Sequence, residues 1–473
     1  MVVDIVASKQ ENTETGKYLS PVQHLVLFCI CQTLVYYDRG VLAGMLKYIE
    51  GELGNLSGIQ SGLLPSMFMV GFMIASPLFV RLSQISRDWQ VYTIIMGLSV
   101  LVVSSVVTYF VAMSYAGLLV ARLISGVGEA AFCALAPPII DTAAPVGRKS
   151  LYVGIYFTFL YVGYGLGSGV CGIFDSWQTG RVLYLAGAGL VACCIAAFAL
   201  LRKRFLIPEG AVSSVTGSLW HQLKVVFTQS VFVMLCVGYG FFFFTFGAFG
   251  FWIPTYLSKE YPDQKMLGDI GFGAVTCLTG IIGTVVGGAL MELISARLSK
   301  KDKFKSLSHD HIMVISGCLI CCVLVFSGML FTIPAVFTPS IYICFIFFAF
   351  GTLLLFSTTA PVNIAIMYSV PASLKAQAMA VSVGVAHLIG DFPSPSITGV
   401  LIDFAGFKAA ILAVSGILVV PTALWALSGY LSKKQGDVAT IATESKTDES
   451  KPSEMIAPPV QQDTPADLNS TMQ

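Results

Sequence analysis

The sequence predicts an all-α integral membrane protein with twelve transmembrane helices in two six-helix bundles. Of its 473 residues, 56% are apolar and only 11% are charged, whereas soluble domains carry about 25% charged residues. Apolar runs of about 20 residues, which can cross a bilayer as helices, fill residues 21–431. A polar stretch at 202–228 divides these runs into two sets of six. This composition disfavours secreted, nucleic-acid-binding and soluble catalytic proteins.

Chain organisation follows from where polar sequence interrupts the apolar runs. We expect a cytosolic tail (1–20), an N-terminal bundle (21–201), a cytosolic linker (202–228), a C-terminal bundle (229–431) and a disordered cytosolic tail (432–473). The last 42 residues hold seven acids, four lysines and no aromatic residue, a composition typical of disorder. The predicted spans are 21–46, 58–80, 91–112, 117–140, 149–173, 181–201, 229–257, 268–296, 311–332, 338–369, 375–401 and 406–431.

The positions of lysine and arginine predict the orientation. The tails, counted as far as residue 434, and the loops on their side of the membrane contain eighteen of these residues, and the opposite loops contain five. The positive-inside rule therefore predicts that both termini are cytosolic. Asn55 then lies in the first external or luminal loop, in the sequence Asn55-Leu-Ser57, and is a candidate for glycosylation. An ordinary loop followed by the helix cap Ser57–Gln60 explains these residues equally well.

Cysteines and the N-terminus indicate no further class of protein. All twelve cysteines lie within apolar runs, so the spacing predicts neither a disulfide framework nor a metal site. Residues 1–20 are polar and lack the apolar core of a signal peptide, so we expect the first span to direct insertion. We also expect no cofactor, no nucleic-acid partner and a monomeric protein.

Four charged residues lie deep in the predicted spans of the first half. Asp38 and Arg39 are about seventeen residues into span 1, and Arg122 and Glu129 lie seven residues apart in span 4, which is about two helical turns. A charge at this depth costs about 2.5 kcal/mol or more, so such residues usually pair or face a cavity. The two acids and two bases can neutralise one another, for example by pairing Asp38 with Arg122 and Arg39 with Glu129.

These four residues have two interpretations. In the first, they form a static ion-pair network that fixes helix packing. In the second, they form a polar patch on a central cavity, where the arginines contact substrate and Asp38 and Glu129 exchange protons. A carboxylate that loses its cation neighbour binds a proton more readily, so the second interpretation gives a coupling mechanism.

Glycine and proline are concentrated in spans 5 and 11, which occupy equivalent places in the two halves. Interrupted helices at matching positions are the best sequence indication of a transporter's binding site. We also expect close helix packing to be the role of Gly167, Gly169 and Gly172. The candidate hinge or helix-break residues are Gly165, Gly167, Gly169, Gly390, Pro393 and Pro395. Asp391, His387 and Trp252 are secondary candidates for the site.

Several motifs resemble known families. Arg122-x-x-x-Gly126-x-Gly128 in span 4 resembles the major facilitator superfamily. Other segments resemble the Spinster family of lysolipid and sphingolipid transporters. They are Tyr37-Asp38-Arg39, Gly128-Glu129-Ala130, Gly247-Ala-Phe-Gly-Phe-Trp-Ile-Pro254 and His387-Leu-Ile-Gly-Asp-Phe-Pro-Ser-Pro395.

The resemblance implies the major facilitator fold and a function. The protein would move a lysophospholipid or sphingoid lipid across a lysosomal or plasma membrane by alternating access, with the proton as coupling ion. Asp38 and Glu129 would bind protons, and Arg39 and Arg122 would be charge partners or headgroup contacts. The loop after span 2, Val80-Arg-Leu-Ser-Gln-Ile-Ser-Arg-Asp88, lacks the aspartate that normally latches the inward gate, so this is a diverged member.

Three alternatives remain at this stage. The same fold could transport a small organic anion or a sugar. A non-transporting receptor or scaffold would bind a ligand without flux and would use the tail at 432–473 to bind partners. A membrane-embedded enzyme is less consistent with the sequence, because the spans contain no nucleophile–base pair or metal-ligand set.

Overall fold

The computed structural model describes residues 18–83, 85–111, 114–145, 148–205, 219–371 and 374–449. These residues form helices and connecting turns and contain no strand. The tail at 1–17 and part of the predicted linker lie outside the described residues. The backbone of each helix satisfies its own hydrogen bonds, as a chain surrounded by lipid requires.

The first bundle contains spans 1 to 6. Span 1 begins with Pro21, behind a capping box in which Ser20 and Gln23 each bond the other's backbone N–H. Ser57 and Gln60 form the predicted cap at the start of span 2. The helices are Pro21–Glu52, Gly58–Ser83, Arg87–Val111, Tyr115–Ala143, Lys149–Val170 and Val182–Leu201.

The second bundle contains spans 7 to 12. A ten-residue helix, Leu219–Thr228, precedes it. Spans 7, 8 and 9 are Ser230–Glu260, Lys265–Ser299 and His309–Ala335, and span 10 consists of Ile341–Phe356 and Thr359–Tyr368. Span 11 begins with Lys375–Ala386 and continues from Ser394, and span 12 starts beyond Gly406, where the backbone turns out of the helix (φ 81°, ψ 168°).

Eleven helical stretches within the described residues are long and apolar enough to cross a membrane. The last of them, Ala378–Asp437, is 60 residues long and includes the break at Gly406, so it supplies spans 11 and 12. The predicted count of twelve therefore agrees with the structure. Side chains that face outward, such as Phe110, Leu200 and Phe404, are apolar and exposed, as lipid contact requires.

The C-terminal helix extends beyond the predicted end of span 12. Residues 432–473 are predicted to be disordered, yet helix Val419–Glu449 continues past residue 431. The Ser432 hydroxyl lies 3.1 Å from Nδ1 of His311, and Gly436 lies against Leu307 and His311. These contacts with span 9 hold the first turns of the extension, which composition alone does not reveal. Residues 450–473 lie outside the described residues.

The two bundles approach each other closely on one side of the protein. We call the side that carries residues 53–57 the first-loop side, and the side that carries residues 202–205 and 219–228 the linker side. On the first-loop side, Gly58 of span 2 and Gly399 of span 11 pack so closely that a Cβ added to either residue would clash with the backbone carbonyl oxygen of the other. Gly165 of span 5 and Gly273 of span 8 approach each other in the same way. These equivalent contacts show the pseudo-symmetry of the two bundles.

The glycines of span 5 are packing residues rather than helix breaks. The helix is continuous from Lys149 to Val170, so the prediction of an interruption at Gly165, Gly167 and Gly169 is wrong. Gly167 lies against the Tyr37 carbonyl of span 1, and Gly169 faces Ile270 of span 8. Small residues here allow neighbouring helices to approach closely.

Span 11 is interrupted in the predicted region. Residues His387–Asp391 form a π-helical turn, and a new helix begins at Ser394 behind Pro393. Proline lacks the backbone N–H that would continue the ladder, and π-turns occur frequently at functional sites. The carbonyl of Pro395 accepts a hydrogen bond from the Trp252 indole at 3.0 Å.

Adding a methyl group at the contact between spans 2 and 11 tests this packing. Gly399→Ala places a Cβ against the Gly58 backbone, and overpacking of this kind costs about 1–3 kcal/mol. We expect a lower unfolding midpoint for the purified variant. Gly189→Ala is the matched control, because that Cβ meets nothing within 4 Å. Equal midpoints for the two variants would contradict the close approach.

Candidate functional site

A cavity of about 240 Å³ lies between the two bundles, lined by residues of spans 1, 2, 4, 5, 7, 8, 10 and 11. Its wall carries few charged side chains. On the first bundle the guanidinium of Arg39 borders it, and on the second bundle Asp391 and His387 do so. The rest of the wall is predominantly aromatic and aliphatic.

Asp38 forms an ion pair with Arg122, one of the pairings that the sequence allows. Nη1 of Arg122 donates to Oδ2 of Asp38 at 2.7 Å, and the Ser125 hydroxyl donates to the same oxygen at 3.1 Å. The guanidinium also lies over the Tyr184 ring, 5.1 Å from its centroid. Arg122 reaches the cavity wall, but it is 1% exposed and Asp38 is 6% exposed, so this pair belongs to the interior of the first bundle.

Arg39 forms a two-pronged ion pair with Glu129. Its Nε donates to Oε2 at 3.2 Å, and its Nη2 donates to Oε1. The rings of Tyr36 and Phe68 flank the guanidinium at 4.6 and 4.3 Å, which adds cation–π attraction to the pair. Arg39 is therefore held by one charge and two rings while its outer surface faces the cavity.

The polar patch lies mostly behind the cavity wall rather than on it. The sequence interpretation places all four charges on the cavity surface. In the structure Glu129 has no exposed surface, and neither it nor Asp38 lines the cavity. Each carboxylate turns toward an arginine because a buried charge without a partner is costly. Arg39 is the member of the cluster that presents a charge to a ligand.

His387 and Asp391 form a second polar group on the opposite wall. Nδ1 of His387 lies 2.8 Å from Oδ2 of Asp391, one turn away across the π-turn. The His387 ring contacts Phe72 of span 2 at a centroid distance of 5.5 Å, so the imidazole touches both bundles. The helix break in span 11 thus places these two side chains at the cavity.

The wall contributed by the second bundle is rich in aromatic residues. Spans 7, 8 and 10 supply eight phenylalanines: Phe242, Phe243, Phe246, Phe249, Phe251, Phe272, Phe348 and Phe356. Trp252 is a predicted candidate but does not line the cavity. Its indole is 1% exposed and packs against Phe407 at 5.9 Å, because its N–H is directed to the Pro395 carbonyl.

Aromatic side chains also cross between the bundles around the cavity. The Tyr164 hydroxyl of span 5 donates to the Gly250 carbonyl of span 7. One turn nearer the linker side, the Tyr161 ring lies 4.4 Å from that of Phe356 in span 10. With the Phe72–His387 contact, these rings narrow the cavity, so a ligand larger than its present volume requires them to separate.

A buried ion pair that the hydropathy pattern does not predict joins the bundles on the first-loop side. Nζ of Lys47 lies 2.5 Å from Oδ2 of Asp269 in span 8. The predicted end of span 1 at residue 46 assigns Lys47 to the loop, whereas span 1 runs to Glu52 and the Lys47 side chain is buried within it. The sequence shows a base near the end of span 1 and an acid near the start of span 8. It does not show that these two helices meet.

Two predicted surface features are placed by the structure. Asn55 is exposed in the loop after span 1, with a left-handed backbone (φ 54°); its glycosylation remains a prediction. Asp88, after span 2, is exposed, and its carboxylate makes no hydrogen bond or ion pair with any described residue.

The arrangement combines charged groups with an apolar wall. Among the described residues, no group of three or more His, Cys, Asp or Glu side chains could hold a metal ion. The site instead offers one guanidinium to an anionic group, an aromatic wall to an apolar chain, and two carboxylates whose partners are arginines.

Comparisons with known proteins agree with this architecture. The profile of the Major Facilitator Superfamily matches residues 28–395. "Probable sphingolipid transporter spinster homolog 3" of Arabidopsis thaliana is 30% identical over 469 residues, covering 88% of this chain and 86% of that protein. "Sphingosine-1-phosphate transporter SPNS2" of Xenopus tropicalis is 28% identical, covering 80% and 73%.

A solved structure has the same fold. A bacterial homologue of the human lysosomal transporter Spinster, in an inward-facing and unoccupied conformation, superposes with a TM-score of 0.72 at 17% sequence identity. The match covers 88% of this chain and 98% of that one. At this identity the similarity establishes the fold.

A double-mutant cycle tests the pairing of Asp38 with Arg122. Asp38→Asn leaves a buried guanidinium without a counter-charge, and breaking a buried pair in this way costs about 3–5 kcal/mol. We expect a marked fall in the unfolding midpoint for Asp38→Asn and for Arg122→Gln, and a smaller fall for the double variant than the sum of the two. Asp302→Asn, which removes an exposed pair with Lys305, is the control and should change little. Additive falls at Asp38 and Arg122 would show that the two side chains are not coupled.

Proposed function

Because the chain belongs to the Major Facilitator Superfamily, and within it to the Spinster family, we propose that it is a proton-coupled secondary transporter of a lysophospholipid or sphingoid lipid. It is a membrane protein with a transporter fold and transporter relatives. One observation supports both the substrate class and the proton coupling: Arg39 borders an aromatic cavity while also neutralising the buried Glu129.

The two walls of the cavity support an amphipathic substrate. Arg39 on the first bundle suits an anionic or zwitterionic headgroup, because a guanidinium binds phosphate through paired hydrogen bonds. The phenylalanines of spans 7, 8 and 10 suit an acyl or sphingoid chain. The names of the two relatives, both sphingolipid transporters, agree with this substrate class.

The Arg39–Glu129 pair supports a mechanism for proton coupling. A headgroup phosphate that engages Arg39 competes with Glu129 for the same N–H donors. Glu129 then remains buried without its cation, and protonation is the least costly way to neutralise it. Release of the substrate restores the pair and returns the proton. Substrate and proton would therefore be carried together.

Asp38 is the second proton-binding group in this mechanism. Its partner Arg122 is seven residues, about two turns, from Glu129 on span 4, and Asp38 is next to Arg39 on span 1. Movement of Arg39 or Arg122 therefore changes the electrostatic potential at both Asp38 and Glu129. We therefore assign proton binding to Asp38 and Glu129, and headgroup contact or charge pairing to Arg39 and Arg122.

The packing of the bundles supports alternating access. The glycine contacts on the first-loop side close that end, so in this conformation a substrate reaches the cavity from the linker side. Gly390, Pro393 and Pro395 surround the break in span 11, where a change in helix direction would accompany bundle movement. Under the positive-inside prediction the linker side is cytosolic, and we propose a lysosomal or plasma membrane location with Asn55 on the opposite face.

A substrate panel separates this proposal from its alternatives. Purified protein in liposomes is given an imposed pH gradient and offered lysophospholipids, sphingoid phosphates, sugars and small organic anions. Proton-driven flux of the lipids supports the proposal. Flux restricted to the hydrophilic solutes favours an organic-anion or sugar transporter, and lipid binding without flux favours a receptor or scaffold.

Removal of one carboxylate tests the coupling. Asp38→Asn is expected to abolish the dependence of lipid flux on the pH gradient, because the side chain can no longer exchange a proton. The double variant Asp38→Asn/Arg122→Gln should behave in the same way while avoiding the buried unpaired guanidinium. Flux in liposomes measures this, with Asp302→Asn as the control. Wild-type pH dependence in both Asp38 variants would rule out the assignment.

Substitution of the cavity arginine tests headgroup recognition. Arg39→Gln removes the charge at the wall, and hydrogen bonds to charged groups contribute about 1.5–3 kcal/mol. We expect the affinity for a radiolabelled lysophospholipid to fall by about tenfold or more. Lys305→Gln changes an exposed lysine outside the spans and should bind as wild type does. An unchanged affinity in Arg39→Gln would show that the headgroup binds elsewhere.

A further inference from the structure

One buried ion pair spans the two bundles on the first-loop side. Lys47 lies near the end of span 1, and Asp269 lies in the first turns of span 8. Their side chains are 8% and 1% exposed, with Nζ and Oδ2 2.5 Å apart. The Asp38–Arg122 and Arg39–Glu129 pairs differ from it because both partners of each belong to the first bundle. Relative movement of the bundles stretches Lys47–Asp269 and leaves the other two intact.

Asp269 depends heavily on this lysine. Its second oxygen, Oδ1, is buried and has no hydrogen-bond partner among the described residues. The ammonium group of Lys47 also lies 5.0 Å from the Tyr48 ring centroid, so it is held on its own bundle. A buried carboxylate with one unsatisfied oxygen is costly to leave without its cation, unless water reaches it.

Two further polar contacts cross between the bundles on the same side. The Asp403 carboxylate of span 11 accepts from the backbone N–H groups of Gly58 and Ile59 at 2.7 and 3.3 Å, at the start of span 2. Glu50 of span 1 pairs with Lys259 of span 7 at 3.3 Å. Lys259 is 53% exposed, so that outer pair is screened by solvent and contributes little.

We propose that the Lys47–Asp269 pair is the latch that holds the first-loop side closed, and that the transport cycle must break it to open that side. Both groups are stable when paired in the closed state and when hydrated in the open state. Between these states they are neither paired nor solvated, so the pair opposes partial opening and makes the transition switch-like. This role rests on the cross-bundle geometry and does not depend on the identity of the substrate.

A cysteine introduced at Gly169 can report on the opening of the first-loop side. A Cβ there lies 3.8 Å from the Ile270 Cα and 4.0 Å from the Asp269 carbonyl oxygen, so the Cβ of Gly169→Cys makes only ordinary van der Waals contacts with span 8. We expect its thiol to react slowly with a maleimide while the first-loop side is closed. Fragment-ion mass spectrometry of the full-length protein in detergent, which resolves labelling residue by residue, separates position 169 from Cys171 two residues away and from the other native cysteines.

In this background, Lys47→Ala and Asp269→Asn should each raise the labelling rate of the cysteine by about tenfold or more, because a buried group that has lost its partner favours the hydrated open state. The matched control is Lys259→Ala, which removes the exposed pair on the same side and should change the rate by less than about twofold.

The charge swap Lys47→Asp/Asp269→Lys keeps the proposal testable if a single variant folds poorly. Restoration of slow labelling by the swap supports the latch. Labelling at the wild-type rate in the folded single variants overturns it, and so does fast labelling in a folded swap variant. Lipid flux is not the readout, so failure of the proposed substrate class would leave this result unaffected.

Discussion

The structure depends on the requirement that a charge inside a membrane protein be paired. Three buried ion pairs meet this requirement in different places: Asp38–Arg122, Arg39–Glu129 and Lys47–Asp269. Removing one partner would strand the other in a medium that solvates it poorly, so each pair links two helices strongly. The first two unite spans 1 and 4 within one bundle, and the third joins spans 1 and 8 across the bundles. Span 1 is therefore the helix on which both the binding site and the closure of the first-loop side rely.

The cavity divides its chemistry between the two bundles. Charge belongs mainly to the first, through Arg39, and aromatic surface belongs mainly to the second, through spans 7, 8 and 10. Movement of one bundle against the other can then change the distance between Arg39 and the aromatic wall. Each of these two contact surfaces stays intact during the movement. His387 and Asp391 are the polar exception on the second bundle, and they lie at the π-turn where span 11 is interrupted.

Local physical rules predict much of this architecture from the sequence. Hydropathy locates the spans, and the cost of buried charge together with the spacing of Arg122 and Glu129 identifies the four charges of the first bundle and makes their pairing an expected outcome, without fixing which acid meets which base. Features that depend on which distant helices meet are not predictable in this way. Lys47–Asp269 requires knowing that spans 1 and 8 adjoin, and Trp252 turns away from the cavity because of a carbonyl on span 11. The glycines of span 5 pack against neighbouring helices that cannot be identified from the span 5 sequence alone. Without knowledge of those neighbours, the same glycines look like a helix break.

The proposed coupling requires a ligand to displace Glu129 from Arg39, after which Glu129 takes up a proton. Proton uptake by the purified protein in weakly buffered detergent solution, measured when a lysophospholipid is added, tests this step. We expect uptake by the wild type and its loss in Glu129→Gln, with lipid binding retained in the variant. Binding without uptake in the wild type, or the same uptake in Glu129→Gln, would contradict it.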